Sequence, residues 1–132
     1  MAGPTTEAMG GLLRVDPASA EPPFEQVRRQ LAEAIGDGRL PVGERLPPIR
    51  ALAGELALAV NTVARAYREL EVAGLVLTRG RLGTVVSPDA GSGAVDAEVR
   101  LAAGDFARTA RAAGIPETDA VAFVRDAFRR LG

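Results

Sequence analysis

The stretch LAVNTVARAYRELEVAGLV, residues 58–76, decides the fold because it has the pattern of an amphipathic helix. Its apolar residues recur three and four positions apart, which is the spacing of a helix face that packs against a core. They are Val63, Ala66, Tyr67, Leu70 and Gly74. The polar residues on the opposite face are Asn61, Thr62, Arg65 and Arg68. The sequence therefore predicts a helix over 58–73 with one core face and one polar face that is available to a partner.

Two further helices are predicted before this one. The first follows Pro22-Pro23 and ends at the glycines 36 and 38, as the N-terminal preference of proline and the C-terminal preference of glycine require. Its apolar stripe is Phe24, Val27, Leu31, Ala34 and Ile35. The second follows Pro47-Pro48, with Ile49, Leu52, Ala53 and Leu56 facing inward. The connector between them, residues 39–47, is rich in turn residues, and its ERL segment (44–46) is a candidate short strand.

The remaining segments complete the predicted organisation. Two β-rich runs within residues 75–86 flank a basic tip, RGRLG, and so predict a hairpin. Residues 88–94 have the composition of a linker, and residues 95–132 predict two more helices separated by GIP. Residues 1–21 are expected to form a flexible leader with a short extended arm at 12–16. The fold class is therefore mainly α with a small β-hairpin (α+β).

Composition excludes several kinds of chemistry. The 132 residues include no cysteine and no histidine, and all sixteen basic residues are arginine. A thiol nucleophile, an imidazole base, a Schiff-base lysine and a Cys/His metal site are therefore excluded. The seventeen acidic residues are scattered among the arginines rather than clustered. We therefore expect no enzyme activity, no metal and no cofactor.

The charge distribution favours residues 22–87 as the binding region. That segment has nine arginines and seven acidic residues, a balance of +2, although the whole chain has a net charge of −1. This difference is small, and ordinary surface charge explains it equally well. No apolar run reaches the roughly 18 residues that a membrane span needs, and the N-terminus has no secretory pattern. We therefore expect a cytoplasmic protein.

The order of elements in residues 22–87 predicts a winged helix-turn-helix domain. Two helices joined by a turn of about four residues, the second with a polar outer face, define the helix-turn-helix, and the hairpin adds the wing. In such a domain the helix 58–73 enters the DNA major groove. The candidate DNA-binding residues are Arg50, Asn61, Thr62, Arg65, Arg68, Arg79, Gly80 and Arg81.

Each candidate also has a simpler interpretation. Arg65 is placed to pair with Glu69, and Arg68 with Glu71, as ordinary neighbours on a solvated helix face. Asn61 is near enough to the helix start to help cap it, and Gly80 suits a turn. No single residue therefore decides the function, whereas their combination in this order favours DNA binding.

The segment LPPIRALAGELALAVNTVARAYRELEVAGLV closely resembles the DNA-binding region of GntR-family transcription regulators. The residues on the family pattern are Leu46, Pro47, Arg50, Leu52, Ala53, Leu56, Thr62, Val63, Tyr67, Leu70 and Gly74. The preceding residues also match, so the resemblance covers about residues 22–86. The short C-terminal tail is similar to that of the small YtrA-type branch. The resemblance implies a homodimeric repressor that binds a DNA operator through Arg50, Asn61, Thr62 and the hairpin tip.

Two positions depart from the family pattern. Members usually have a polar cap followed by Arg or Pro at 59–60, where this chain has Ala59-Val60. A missing polar cap costs about 1 kcal/mol of helix stability. At the hairpin tip, relatives often have Gly-x-Gly before Thr, whereas here Gly80 and Gly83 are separated by two residues.

The tail is predicted to be the dimer interface, because a helical pair has almost no interior and exposes an apolar face that needs a partner. The alternative partner for this face is the winged-helix body of the same chain. The interface candidates are Val95, Val99, Phe106, Val124, Phe128 and Leu131. Two helices are too few to enclose a small-molecule site, so an effector, if one binds, is expected between the two copies. The alternative reading is a winged-helix module that binds a protein and no operator.

Overall fold

The computed structural model describes residues 11–90 and 93–132, and residues 1–10, the expected leader, lie outside the described part. It contains five α-helices and one two-stranded sheet within those ranges. The elements are α1 (Pro23–Gly36), α2 (Ile49–Leu56), α3 (Val60–Val72), β1 (Val76–Thr78), β2 (Thr84–Val86), α4 (Ala94–Ala112) and α5 (Glu117–Leu131). This agrees with the predicted fold class.

The core lies between α1, α2 and α3 and is built from aliphatic side chains. Leu31 of α1, Leu52 of α2 and Leu70 of α3 are fully buried in it, and α1 packs along both α3 and α4. The stripes predicted from helical spacing supply most of the faces that meet here. Phe24, predicted in the stripe of α1, is instead half-buried, with the Arg65 guanidinium over its ring. Each fully buried leucine contributes about 1.5–3 kcal/mol through the apolar surface that it removes from water.

The segment 12–16, predicted as a short extended arm, packs against the core. Leu13 and Val15 are fully buried. The Gln26 side chain of α1 accepts the backbone N–H of Asp16 at 2.8 Å and donates to its carbonyl at 2.9 Å. The Gln30 side chain makes the same pair of bonds with Arg14, at 2.9 and 2.7 Å. Two glutamine amides thus pair with the extended backbone as a neighbouring strand would.

The turn between α2 and α3 depends on one residue in a left-handed conformation. Ala57, which follows α2, has φ 55° and ψ 42°, a region that costs an L-amino acid with a Cβ roughly 1–2 kcal/mol. Its backbone N–H donates to the carbonyl of Gly54 at 3.3 Å, which ends α2 and turns the chain. After this turn α3 begins at Val60, two residues later than the sequence predicted.

We expect Ala57→Gly to stabilise the protein by about 0.5–1 kcal/mol, because glycine adopts this conformation without strain and the relief exceeds the added freedom of the unfolded chain. Thermal or urea unfolding measures the change. Ala51→Gly is the matched control, since Ala51 is exposed in the interior of α2 and its replacement should cost about 1 kcal/mol. A loss of stability in both variants would contradict the prediction.

The wing is a short hairpin that the connector before α2 extends. Strands β1 and β2 pair antiparallel, with Val76 opposite Val86 and Thr78 opposite Thr84. The predicted ERL segment pairs along β2: the Leu46 N–H donates to Thr84 and the Val86 N–H donates to Glu44, both at 2.8 Å. The connector thereby ties the start of α2 to the wing.

Helices α4 and α5 form a tail with unequal contact to the body. Helix α4 packs against α1 and α3, and Ala97 is buried there. Helix α5 makes its main contact with α4, and none of its residues is buried. Within the described ranges, no helix combines the length and apolar content needed to cross a membrane.

Candidate nucleic-acid interface

A basic cleft of about 390 Å³ lies between the start of α2 and the wing. Arg45, Arg50 and Arg81 contribute to its lining, together with Gly80 at the wing tip, and none of its lining residues is acidic. The structure therefore brings together three of the predicted residues, Arg50, Gly80 and Arg81. Three arginines that line one concave surface are suited to bind anions such as backbone phosphates.

The position of Arg50 depends on a hydrogen bond from α3 to the connector. The Tyr67 hydroxyl donates to the carbonyl oxygen of Pro47 at 2.6 Å, which holds the chain immediately before α2. Burial raises the pKa of Tyr67 well above its usual range, so the hydroxyl remains a donor. Helix α2 has no side-chain cap at Pro48, and Arg50 is exposed in its first turn.

Arg45 is a candidate residue that the sequence analysis missed. Its guanidinium lies over the wing, because a Cβ added at Gly83 would be 3.6 Å from the Arg45 Nε. A β-bridge between Arg45 and Val85 fixes this arrangement. The short strand predicted over ERL (44–46) could have identified Arg45, since the middle residue of a strand that pairs with the wing lies next to the wing.

The wing tip is a 3-10 turn rather than a two-residue loop. Residues Gly80–Leu82 form the turn, closed by a 2.7 Å hydrogen bond from the Arg79 N–H to the Gly83 carbonyl. Arg79 and Arg81 are both exposed, but only Arg81 contributes to the basic cleft.

The first turn of α3 is open to a ligand. Ala59 provides no side-chain cap, as expected from the sequence, and Asn61 is exposed in this turn while Thr62 is half-buried. Free backbone N–H groups at a helix start favour an anion. Val60, with 39% of its surface exposed, places an apolar side chain among them, and an apolar side chain can contact a thymine methyl group but donates no hydrogen bond.

Arg65 and Arg68 differ in their surroundings. The Arg65 Nε donates to Glu69 at 3.0 Å, and its guanidinium lies 3.6 Å from the ring centre of Phe24. The simpler interpretation, pairing with Glu69, is therefore the one realised in the structure. Arg68 is exposed, while Glu71, its expected partner, accepts the backbone N–H of Thr78 at 3.3 Å.

The tail residues predicted to form an interface all lie on the surface. Those most open to solvent are Leu131 (83% exposed), Val95 (73%) and Phe128 (71%). The others are Val99, Phe106 and Val124. An apolar groove of about 570 Å³ lies between α4 and α5, and of these six residues Phe106 and Val124 line it. In the described ranges, no group of three or more potential metal ligands occurs.

Comparison with known proteins identifies the family. The profile described as "Bacterial regulatory proteins, gntR family" matches residues 23–86. The HTH-type transcriptional regulator Rv1152 of Mycobacterium tuberculosis is 46% identical over 112 residues, 85% of this chain and 90% of that protein. The HTH-type transcriptional repressor YtrA of Bacillus subtilis is 36% identical over 68% of this chain and 69% of its own length.

A solved structure supports the same assignment. The GntR-family transcription factor YtrA from Sulfolobus acidocaldarius superposes with a TM-score of 0.56 at 33% identity, covering 59% of this chain and 82% of that one. The fold, the basic cleft and these similarities agree. The chain therefore belongs to the gntR family of bacterial regulatory proteins and is a DNA-binding transcription regulator, not an enzyme.

Proposed function

We propose that the chain acts as a homodimeric repressor in the cytoplasm, where it binds an inverted-repeat operator. The observation that carries the proposal is the cleft of Arg45, Arg50 and Arg81, which joins the start of α2 to the wing and contains no acidic residue. The cleft holds backbone phosphates, and the first turn of α3 with Asn61 and Thr62 faces the bases. Arg68 and Arg79 supply further phosphate contacts.

The dimer is supported by the tail. Helix α5 buries none of its residues within one chain, and an apolar face of this kind on a helix needs a partner to be stable. A second copy is the occupant that we propose, because both α4 and α5 expose large apolar side chains, and Phe106 and Val124 among them also line the groove between these helices. A small-molecule effector would bind in this groove, beside the second copy.

Arg50→Ala and Arg81→Ala should each weaken operator binding without changing the melting temperature. Both side chains are exposed in the basic cleft, and loss of such a DNA contact costs about 1–3 kcal/mol. Fluorescence anisotropy on labelled duplex measures the affinity. Arg14→Ala is the charge-matched control, since Arg14 is exposed beside α1 and outside this cleft. Equal affinity for all four proteins would contradict the assignment of the cleft.

The same assay tests the symmetric operator. We expect the wild-type chain to bind a palindrome with half-site centres about 10 bp apart, or a multiple of that distance, much more tightly than a single half-site. Each neutralised phosphate should lower log K by roughly 0.9 per tenfold rise in salt, so Arg81→Ala should reduce the slope. Equal binding to both duplexes, or no salt dependence, would favour the alternative, a winged-helix module that binds a protein.

A further inference from the structure

Six charged side chains form a cluster where α1, α3 and α4 meet. We call it the junction cluster, and its members are Glu25, Arg28, Arg65, Glu69, Asp105 and Arg108. Three are cations and three are anions, so the cluster is electrically balanced. None of these six residues lines the basic cleft, so operator contact through the cleft does not account for the cluster.

Glu69 of α3 is the centre of the cluster. Its side chain is only 7% exposed, and three arginines surround its carboxylate. The Oε1 atom accepts from Arg28 Nη1 at 2.7 Å and lies 3.4 Å from Arg108 Nη2, while Oε2 accepts from Arg65 Nε at 3.0 Å. One carboxylate therefore connects α3 to both α1 and α4.

Helix α4 contributes one acid and one base to the cluster. Asp105 accepts from Arg28 Nη1 at 2.8 Å and also pairs with Arg108 one turn further along the helix. Burial lowers the pKa of Arg28, but its hydrogen bond to Asp105 and the charges of Glu25, Asp105 and Glu69 outweigh this effect and raise the pKa overall. Arg28 therefore stays charged and holds Asp105 and Glu69 together.

The rest of this junction is built from small residues. A Cβ added at Gly104 would lie 3.3 Å from Val72 Cγ1 and 3.7 Å from the Ala73 nitrogen, so α4 approaches the end of α3 closely. Ala97, two helical turns before Gly104 on α4, is also buried. Close packing of this kind tolerates few relative positions, and charged hydrogen bonds are directional. The junction therefore favours one angle between α4 and α3.

We propose that Asp105 and Arg108 are positioning residues that, through Glu69 and Arg28, set the single half-site spacing accepted by the dimer. The inference rests on the proposed function, in which α3 reads each half-site and the tail joins the two copies. Because α4 is the first helix of the tail, its angle to α3 fixes the distance between the two α3 helices. Moving a half-site by one base pair shifts it about 3.4 Å along the DNA, which a rigid dimer does not follow.

The test measures spacing preference in the full chain. The probes are duplexes built from the half-site that the wild-type chain selects from random DNA, with the spacer changed one base pair at a time, and the isolated half-site. The variants are Asp105→Asn and Arg108→Gln. Asp96→Asn is the matched control: its exposure resembles that of Asp105 (42% and 44%), and its ion pair with Arg100 stays within α4. Arg108→Lys tests rescue by a retained charge.

We expect the wild type and Asp96→Asn to prefer one spacer over its neighbours by about tenfold, within the range of about twofold to a hundredfold that coupled contacts produce. Asp105→Asn and Arg108→Gln should keep the half-site affinity but lose most of this preference. Arg108→Lys should restore part of it. A merely structural role would lower every affinity together and leave the preference intact, which would overturn the inference.

A measurement without DNA checks the same point. The sequence has no cysteine, so Arg68→Cys on the exposed face of α3 accepts one spin label per chain, and dipolar spectroscopy then reports the distance between the two α3 helices. We expect a narrow distance distribution, broadened by Asp105→Asn and not by Asp96→Asn. An unchanged width would overturn the inference. Failure of the wild type to select any DNA would instead overturn the proposed function, and this inference with it.

Discussion

Leu70→Ala is expected to destabilise the protein by about 2–5 kcal/mol, the usual cost of removing a leucine side chain from a closed core. Leu70 has no exposed surface and lies between α3 and the rest of the core. A domain of this kind has a total stability of about 5–15 kcal/mol, so the melting temperature should fall by about 10 °C or more. Thermal unfolding followed by circular dichroism measures the shift.

Leu82→Ala is the control for this change, because the same atoms are removed from a side chain that is 62% exposed at the wing tip. Its effect should stay within about 0.5 kcal/mol, as for most surface substitutions. Similar losses in the two variants would contradict the placement of Leu70 in the core. Operator binding by Leu70→Ala should return on cooling if the defect is in stability alone.

Phe128→Asp is expected to convert the proposed dimer to monomers at micromolar concentration. Phe128 presents an aromatic ring that is 71% exposed in one chain, and truncating an aromatic residue at the centre of an interface costs about 2–4 kcal/mol. The new carboxylate adds a desolvation cost. The dimer dissociation constant should therefore rise by about a hundredfold or more, as measured by sedimentation equilibrium.

Because α5 is outside the body, the unfolding of α1, α2 and α3 in Phe128→Asp should remain close to that of the wild type at high protein concentration. Affinity for the palindrome should fall to that for a single half-site. Val42→Asp is the control, since Val42 is 59% exposed in the connector before α2 and its replacement should leave the dimer unchanged. A dimeric Phe128→Asp would place the interface elsewhere.

The sequence by itself determined the elements and the family. Helical spacing identified the core faces of α1, α2 and α3, because a face that repeats every three to four residues is buried wherever the helix packs. Turn residues located the wing and the break at Gly114. The departures at Ala59 and Val60 were also readable, since a cap depends on residues adjacent in the chain. All of these features depend on residues that are close together in the chain, so the sequence alone is enough to predict them.

Tertiary structure decided which polar side chains lie together. Spacing placed Arg65 on the same face as Arg68, yet Arg65 pairs with Glu69 and Phe24, whereas Arg45 joins Arg50 from a connector that showed no helical pattern. Arg28 and Asp105 are separated by 77 positions and still bond directly. Leu13 is buried because two glutamine side chains of α1 hold its segment against the core. This contact, too, joins residues that are not neighbours in the chain. An arginine side chain is long enough to reach several partners from one position. The partner that it bonds depends on how distant segments pack, and the periodicity of the sequence does not encode that packing.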